Sequence, residues 1–186
     1  ASGIIVAAVA DEEWASVGTR ALVERGVCAD AAIVTEPTRL SVMPAHRGFV
    51  WMEVRVAGRA AHGSRYDIGV DAIRHAGLLL AELDRLDSDV LPLRTHPLLG
   101  RGSLHASTIK GGTAWSIYPD ACTMTVERRT LPGETADDAV TELRAACERV
   151  NERLRRSGRS LDVEVARQFS QAGSEVARDA PIVRAM

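Results

Sequence analysis

The sequence predicts an α/β protein in two parts: an α/β unit represented at both ends of the chain and, between them, a complete α+β domain over residues 45–167. Three observations carry this. Two short continuous apolar runs, 3–9 and 31–34, flank a helical pattern, which is the β-α-β texture of a parallel sheet buried on both faces. After Pro44 the texture changes to clean alternation, the mark of strands with one wet face. From 45 to 167 the patterns then follow in the order β-α-β-β-α-β, a four-stranded antiparallel sheet with two helices on one face, in the ferredoxin-like manner. Residues 1–44 and 168–186 accordingly belong to a first domain, interrupted by an insertion.

Gly3-Ile4-Ile5-Val6-Ala7-Ala8-Val9 ends at the acids Asp11-Glu12-Glu13, and Ala31-Ala32-Ile33-Val34 ends at Glu36, so both runs read as strands. Between them Trp14, Val17, Ala21 and Leu22 repeat at helical spacing, and Gly26 takes the place of a helix C′ residue. Parallel neighbours joined by that helix would bring both acidic clusters to the carboxyl ends of one sheet, where open α/β sheets bind ligands. Val50, Met52, Val54 and Val56 alternate with Trp51, Glu53 and Arg55 in a half-wet strand. Ala72, Ile73, Ala76, Leu79, Leu80 and Leu83 predict an amphipathic helix over 68–86. A Pro- and Gly-containing loop over 91–102 precedes strands at 104–109 and 121–128, with Gly111-Gly112 between them. Thr135 and Asp138 form a capping-box start for a helix carrying Leu143, Val150 and Leu154. Leu161, Val163 and Val165 make the last strand, and Asp179-Ala180-Pro181 starts a helix returning to the first domain.

Composition narrows the function classes. The 186 residues are 46% hydrophobic and 26% charged with a net charge of −2, which fits a globular chain with a real core and disfavours nucleic acid or anionic membrane as partners. Aromatic residues are only 4%, too few for a base-stacking platform. Cys28, Cys122 and Cys147 are odd in number and widely spaced, which points to a reducing compartment, the cytoplasm. No run approaches the ~18 apolar residues of a membrane span, and the start lacks the basic region of a signal peptide, reading instead as the middle of a longer protein.

Asp11, Glu12, Glu13 and Glu36 suggest chemistry. Four carboxylates gathered at two neighbouring strand ends repel one another unless they are solvated or neutralised by a cation, and hard or borderline divalent metals are the natural counter-ion. The structural alternative is that Asp11-Glu12-Glu13 merely begins a helix, where acids complement the dipole.

Val9-Ala10-Asp11-Glu12-Glu13 with Ser16 and Gly18, Thr35-Glu36-Pro37-Thr38, His46-Arg47-Gly48, Gly58-Arg59-Ala60-Ala61-His62-Gly63-Ser64, Gly111-Gly112 with Pro119, and Glu127 to Glu134 occur in a familiar order. Over its whole length the chain resembles the dinuclear zinc amidohydrolases and peptidases that include acetylornithine deacetylase, succinyl-diaminopimelate desuccinylase, aminoacylase and glutamate carboxypeptidase. The resemblance implies an internal piece of such an enzyme. Residues 1–44 and 168–186 would form part of a zinc-peptidase-like α/β catalytic domain, and 45–167 its lid or dimerisation domain.

The resemblance also implies roles. Glu12 matches the general base acting on a metal-activated water, and Glu13 and Glu36 match ligands of two divalent metal ions, zinc or else cobalt. His62 matches a histidine that crosses a homodimer to polarise the substrate carbonyl. Arg129 matches the arginine that grips the substrate carboxylate, with Gly112 and Ser116 at the substrate; the competing reading is that Arg128 or Arg129 merely snorkels at a strand end. The implied substrate is an N-acyl amino acid or small peptide. Two departures stand out. Ser116 occupies the place of the family's asparagine, and a hydroxyl cannot reproduce an amide's donor and acceptor pair. The family's His-x-Asp is absent, since no histidine is followed by Asp two residues on. This implies a piece inactive by itself with an incomplete metal site; the alternative reading is a non-catalytic dimerisation module.

Overall fold

In the computed structural model, which describes residues 3–186, the chain divides into two units, one of residues up to Val42 with Ala180–Met186, the other Met43–Asp179. In the first, the helical pattern forms α1 (Val17–Glu24), shorter than the spacing predicts. The residues ahead of it make a turn instead: the Ser16 N–H donates to the Asp11 carbonyl at 2.7 Å and the Gly18 N–H to that of Ala10 at 3.1 Å. Gly18 permits this approach, because a Cβ there would lie 2.5 Å from the Ala10 nitrogen. The helix closes on Gly26, whose φ is 77°. Its N–H bonds the Val23 carbonyl at 2.9 Å and that of Val27 bonds Leu22 at 3.4 Å, the two bonds of a Schellman motif.

The two predicted strands of this unit do not form. Residues 3–9 and 31–34 take part in no ladder, and Ile4, Val6 and Val34 are 94%, 89% and 76% exposed. A parallel strand buried on both faces needs neighbours for its backbone groups and helices above and below. The described residues offer this unit only α1 and the five-residue helix at Pro181–Ala185, too little cover for either run.

In the second unit β1 (Ala45–His46) leads into β2 (Gly48–Ala57). Helix α2 (Ala72–Arg85) follows and continues through a π turn at Leu86–Val90 and a 3-10 turn at Leu91–Leu93. The hairpin of β3 (Thr95–His96) and β4 (Gly100–Arg101) precedes β5 (Ser103–Gly111) and β6 (Ala121–Thr130). Then come α3 (Ala136–Arg155), β7 (Asp162–Gln171) and β8 (Ser174–Glu175), which pairs with β1. The main sheet has the order β5-β6-β2-β7, antiparallel throughout, as the β-α-β-β-α-β pattern predicts. The helix predicted over 68–86 begins later, because Asp71 caps it by accepting from the Arg74 N–H at 2.9 Å while Val70 pairs with Arg59. The loop predicted over 91–102 contains a small hairpin. The capping box of Thr135 and Asp138 is present.

Val50, Met52, Val54 and Val56 of β2 are all within 1% of full burial and pack with Cys122, Met124 and Val126 against Ala76, Leu79 and Leu83 of α2 and Leu143 and Val150 of α3. Burial pushes the thiols of Cys122 and Cys147 up, the latter to about 11, so neither is a thiolate near neutrality. Among the described residues no helix is long and apolar enough to cross a membrane.

One buried residue carries an unsatisfied titratable nitrogen. His75 of α2 is buried, and its Nδ1 has no hydrogen-bond partner in the protein. Burial, then the charges of Arg159 and Arg74, push its imidazole below the ordinary value. Between that depressed value and the unfolded one, near 6.5, the unfolded chain holds more protons, so stability rises with pH through this window and levels off above it. Urea midpoints measured from about pH 5 to 7.5 should therefore fall on the acid side. His75→Leu, which removes an unsatisfied buried nitrogen, should flatten the dependence without loss of stability at neutral pH; an unchanged slope would contradict the assignment.

Candidate functional site

Glu12 and Glu13 lie in the turn that joins the first apolar run to α1. Asp11 and Ser16 bracket that turn with φ of 61° and 53°, left-handed conformations that cost a non-glycine residue of order 1–3 kcal/mol each and concentrate at functional sites. The Ser16 hydroxyl donates to the Glu12 carbonyl at 3.3 Å. The Glu12 and Glu13 side chains are exposed, as is Glu36, whose carbonyl accepts from the Thr38 N–H at 2.7 Å. With no ladder between the two runs, the expected gathering of these acids at shared strand ends does not form. Among the described residues no group of three or more His, Cys, Asp or Glu side chains is arranged to hold a metal ion. The donors present do not by themselves make a metal centre.

The second unit carries the other candidates. Beyond β2 the chain is pinned to the segment entering β6: the Gly63 N–H donates to the Ser116 carbonyl at 2.6 Å and that of Tyr118 to Ala61 at 2.8 Å, and His62 bridges Ile117. His62 and Ser116 are thus held side by side. The Arg65 N–H closes a turn on the His62 carbonyl at 2.7 Å. Within it the His62 Nδ1 lies 2.9 Å from the Ser64 hydroxyl and accepts from the Ser64 N–H at 3.3 Å. Gly112, with φ of 79°, makes the left-handed turn out of β5, a conformation that a Cβ disfavours. At Gly111, opposite Cys122 in the ladder, a Cβ would come within 3.0 Å of the Ile73 side chain.

Arg128 and Arg129 point to opposite faces of β6, as the period of a strand demands, and their surroundings differ accordingly. Arg128 is 1% exposed. Its Nε donates to Glu142 and its Nη2 to Glu134, each at 3.0 Å, and Arg94 bonds the same two carboxylates at 2.5 and 3.0 Å. Arg129 lies on the wet face, its side chain 42% exposed, 2.6 Å from Glu127 and 5.2 Å above the Phe49 ring. Phe49, Trp51 and Phe169 cluster there with ring centroids 5.1–5.8 Å apart. Desolvation pushes the Glu127 carboxyl up, but the Trp51 indole N–H and the Arg129 guanidinium together outweigh it, leaving it below the usual range. Of the two arginines, Arg129 is the one available to a ligand.

His62, Ser116 and Gly112 gather at one end of the sheet and Arg129 at the other. Cys122, opposite Gly111, and Arg129 are seven residues apart on β6, roughly 24 Å at about 3.4 Å per residue. An open groove of about 490 Å³ between α3 and β7, lined by Arg144, Cys147, Asn151 and Val163, contains none of the predicted site residues. The strained turn at Asp11 and the Ser64 contact to His62 escape a reading of the sequence, because neither position needs an unusual residue type to adopt its conformation.

Comparison with known proteins adds the family. Residues 44–155 match the peptidase dimerisation domain. The chain is 32% identical to an acetylornithine deacetylase of Myxococcus xanthus, over 97% of this chain and 47% of that protein. It is 33% identical to an acetylornithine deacetylase of Salmonella arizonae, over 81% of this chain and 40% of the relative. Among solved structures, a hydantoinase/carbamoylase family amidase from Burkholderia ambifaria superposes with a TM-score of 0.59 at 22% identity, over 73% of this chain and 31% of that one; this likeness concerns the fold. The chain spans about half the length or less of the curated relatives it matches. With the dimerisation domain matched over more than half of its residues, the chain belongs to the amidohydrolase and peptidase family which that domain defines.

Proposed function

We propose that, in a protein of its relatives' length, this chain forms part of a metal-dependent hydrolase that cleaves the amide bond of an N-acyl amino acid or small peptide. The observation that carries this reading is the strained Asp11–Ser16 turn, which presents Glu12 and Glu13 side by side at the entry to α1. Glu12 is the general base that takes a proton from the attacking water. Glu13 and Glu36 are this chain's contribution to the ligands of two divalent ions, zinc or else cobalt, with the remaining ligands outside the described residues. The Arg129 guanidinium holds the substrate carboxylate, and His62 stabilises the developing oxyanion. Gly112 and Ser116 lie at the substrate, Ser116 with one hydroxyl where an amide is the family's habit.

We place the site across a homodimer. In one copy Arg129 lies at one end of β6 and His62 near the other, where Gly111 pairs with Cys122, a span of roughly 24 Å between Cys122 and Arg129 along the strand, so on this reading His62 serves the partner copy. The dimerising surface is the open edge of β5 together with the outer stripe of α2. That stripe comprises Ile73, Gly77 and Leu80, with Ile109 beside it; Ile73 and Ile109 are 43% and 48% exposed. An unpaired strand edge is a ready template for a second copy. Residues 45–167 act as lid and dimerisation domain, its last strand running on to Gln171 and β8 staying with the same unit, so that of the expected catalytic-domain segments 1–44 and 168–186 only the end of the second, from Ala180, leaves that unit. The unpaired cysteines fit a cytoplasmic setting.

The test is metal removal. A protein of the relatives' length should lose hydrolysis of N-acetyl amino acids on dialysis against a chelator and regain it with zinc or cobalt, whereas activity indifferent to chelation would contradict the reading. The 186 residues alone should show no turnover and hold fewer than two ions per chain after dialysis; two retained ions would overturn the assignment of ligands outside this chain.

A further inference from the structure

The turn that carries His62 also constrains which ring nitrogen bears its proton. A backbone N–H can only donate, and that of Ser64 is directed at the His62 Nδ1 at 3.3 Å. The Ser64 hydroxyl, 2.9 Å from the same nitrogen, is free to rotate and either donate or accept. Were Nδ1 protonated, its N–H would meet the backbone N–H of Ser64 donor to donor. With Nδ1 bare, both Ser64 groups donate to it, and the ring proton sits on Nε2. The turn is itself held by the Arg65 N–H on the His62 carbonyl and by the Gly63 and Tyr118 bonds to the facing segment, so the two Ser64 donors keep their place without a ligand.

We infer that Ser64 is the positioning residue of His62, fixing its imidazole as the Nε2–H tautomer so that it acts as a hydrogen-bond donor and not as a base. The second nitrogen of a functional histidine commonly sets the role of the first. Here the setting groups are the two donors of one neighbouring residue, a backbone N–H and a side-chain O–H. The step is one of orientation alone: no bond is made or broken, and the Nε2 proton stays on the ring while it is shared with an oxyanion. This rests on the reading of His62 as the carbonyl-polarising group for its consequence, but its geometry stands independently of turnover.

The test is spectroscopic and uses the 186-residue chain. With histidine labelled in ¹⁵N, long-range proton–nitrogen correlation at about pH 8, above the ordinary imidazole range, reports each ring's tautomer, and His62→Gln identifies the His62 signals. The expected result is an Nε2–H pattern for His62, a larger Nδ1–H share in Ser64→Ala, which keeps the backbone donor but loses the hydroxyl, and return to the original pattern in Ser64→Thr. An Nδ1–H share of half or more in the unaltered chain would overturn the inference, as would a Ser64→Ala spectrum identical to it. If instead His62→Ala left hydrolysis by the full-length protein intact, the functional reading would fail while the tautomer result stood.

Discussion

Arg128→Ala is expected to destabilise the Met43–Asp179 unit by about 3–5 kcal/mol, the usual cost of removing one partner of a buried ion pair, while Arg129→Ala should cost no more than about 1 kcal/mol. The two residues are neighbours in sequence and identical in type, so the contrast isolates environment. Removing Arg128 leaves Glu134 and Glu142 facing each other, with only the half-exposed Arg94 between them. The loss also reaches the turn after β6, because Glu134 accepts from the Leu131 N–H at 2.8 Å. Removing Arg129 takes away a pair with Glu127 that is open at its Arg129 end and a contact over Phe49, while Glu127 keeps the Trp51 indole N–H. Urea midpoints of the two variants measure the difference. Equal losses would mean that the four-charge cluster does not hold the unit together.

The largest effects on turnover should come from Glu12 and His62 in a protein of the relatives' length. Glu12→Gln is expected to lower kcat by roughly 10²–10⁴, the range supplied by a positioned general base, with bound metal retained because Gln keeps the shape of the turn. His62→Ala should lower kcat by roughly 10²–10³, as loss of one oxyanion donor does, with little change in KM, since Arg129 still holds the carboxylate. Arg129→Ala should show the opposite split, raising KM more than it lowers kcat. Steady-state kinetics with an N-acetyl amino acid separates the three.

What the sequence discloses follows from where the folding information lies. The order of strands and helices in the inserted domain is legible in the sequence, because each strand carries its own alternation and α3 its own capping box, although β7 runs past the expected boundary to Gln171. The domain's packing is also internal: Val50 to Val56 meet α2 and α3 of the same unit. The N-terminal runs were misleading as structure for the same physical reason. Ile4–Val9 and Ala31–Val34 have the composition of buried parallel strands, but such strands are defined by partners, and the described residues contain none for them. α2 starts later than the apolar periodicity from Ile68 implies, because Asp71 caps it. As for the site, the residue types at Glu12, His62 and Arg129 stood out through the family resemblance. The division of labour between Arg128 and Arg129 needed the register of β6, which decides the face each one takes, and the Ser64 contact needed the turn around His62.

That the site is shared between two copies is tested most directly by complementation. Full-length Glu12→Gln and His62→Ala proteins, each nearly inactive, are mixed, dissociated and allowed to re-pair. Half of the dimers should then be mixed, and each mixed dimer contains one site with an intact Glu12 and the partner's intact His62. Activity should recover to about a quarter of the unaltered value in this two-fold arrangement. A mixture no more active than its two components would contradict a site built from Glu12 of one copy and His62 of the other.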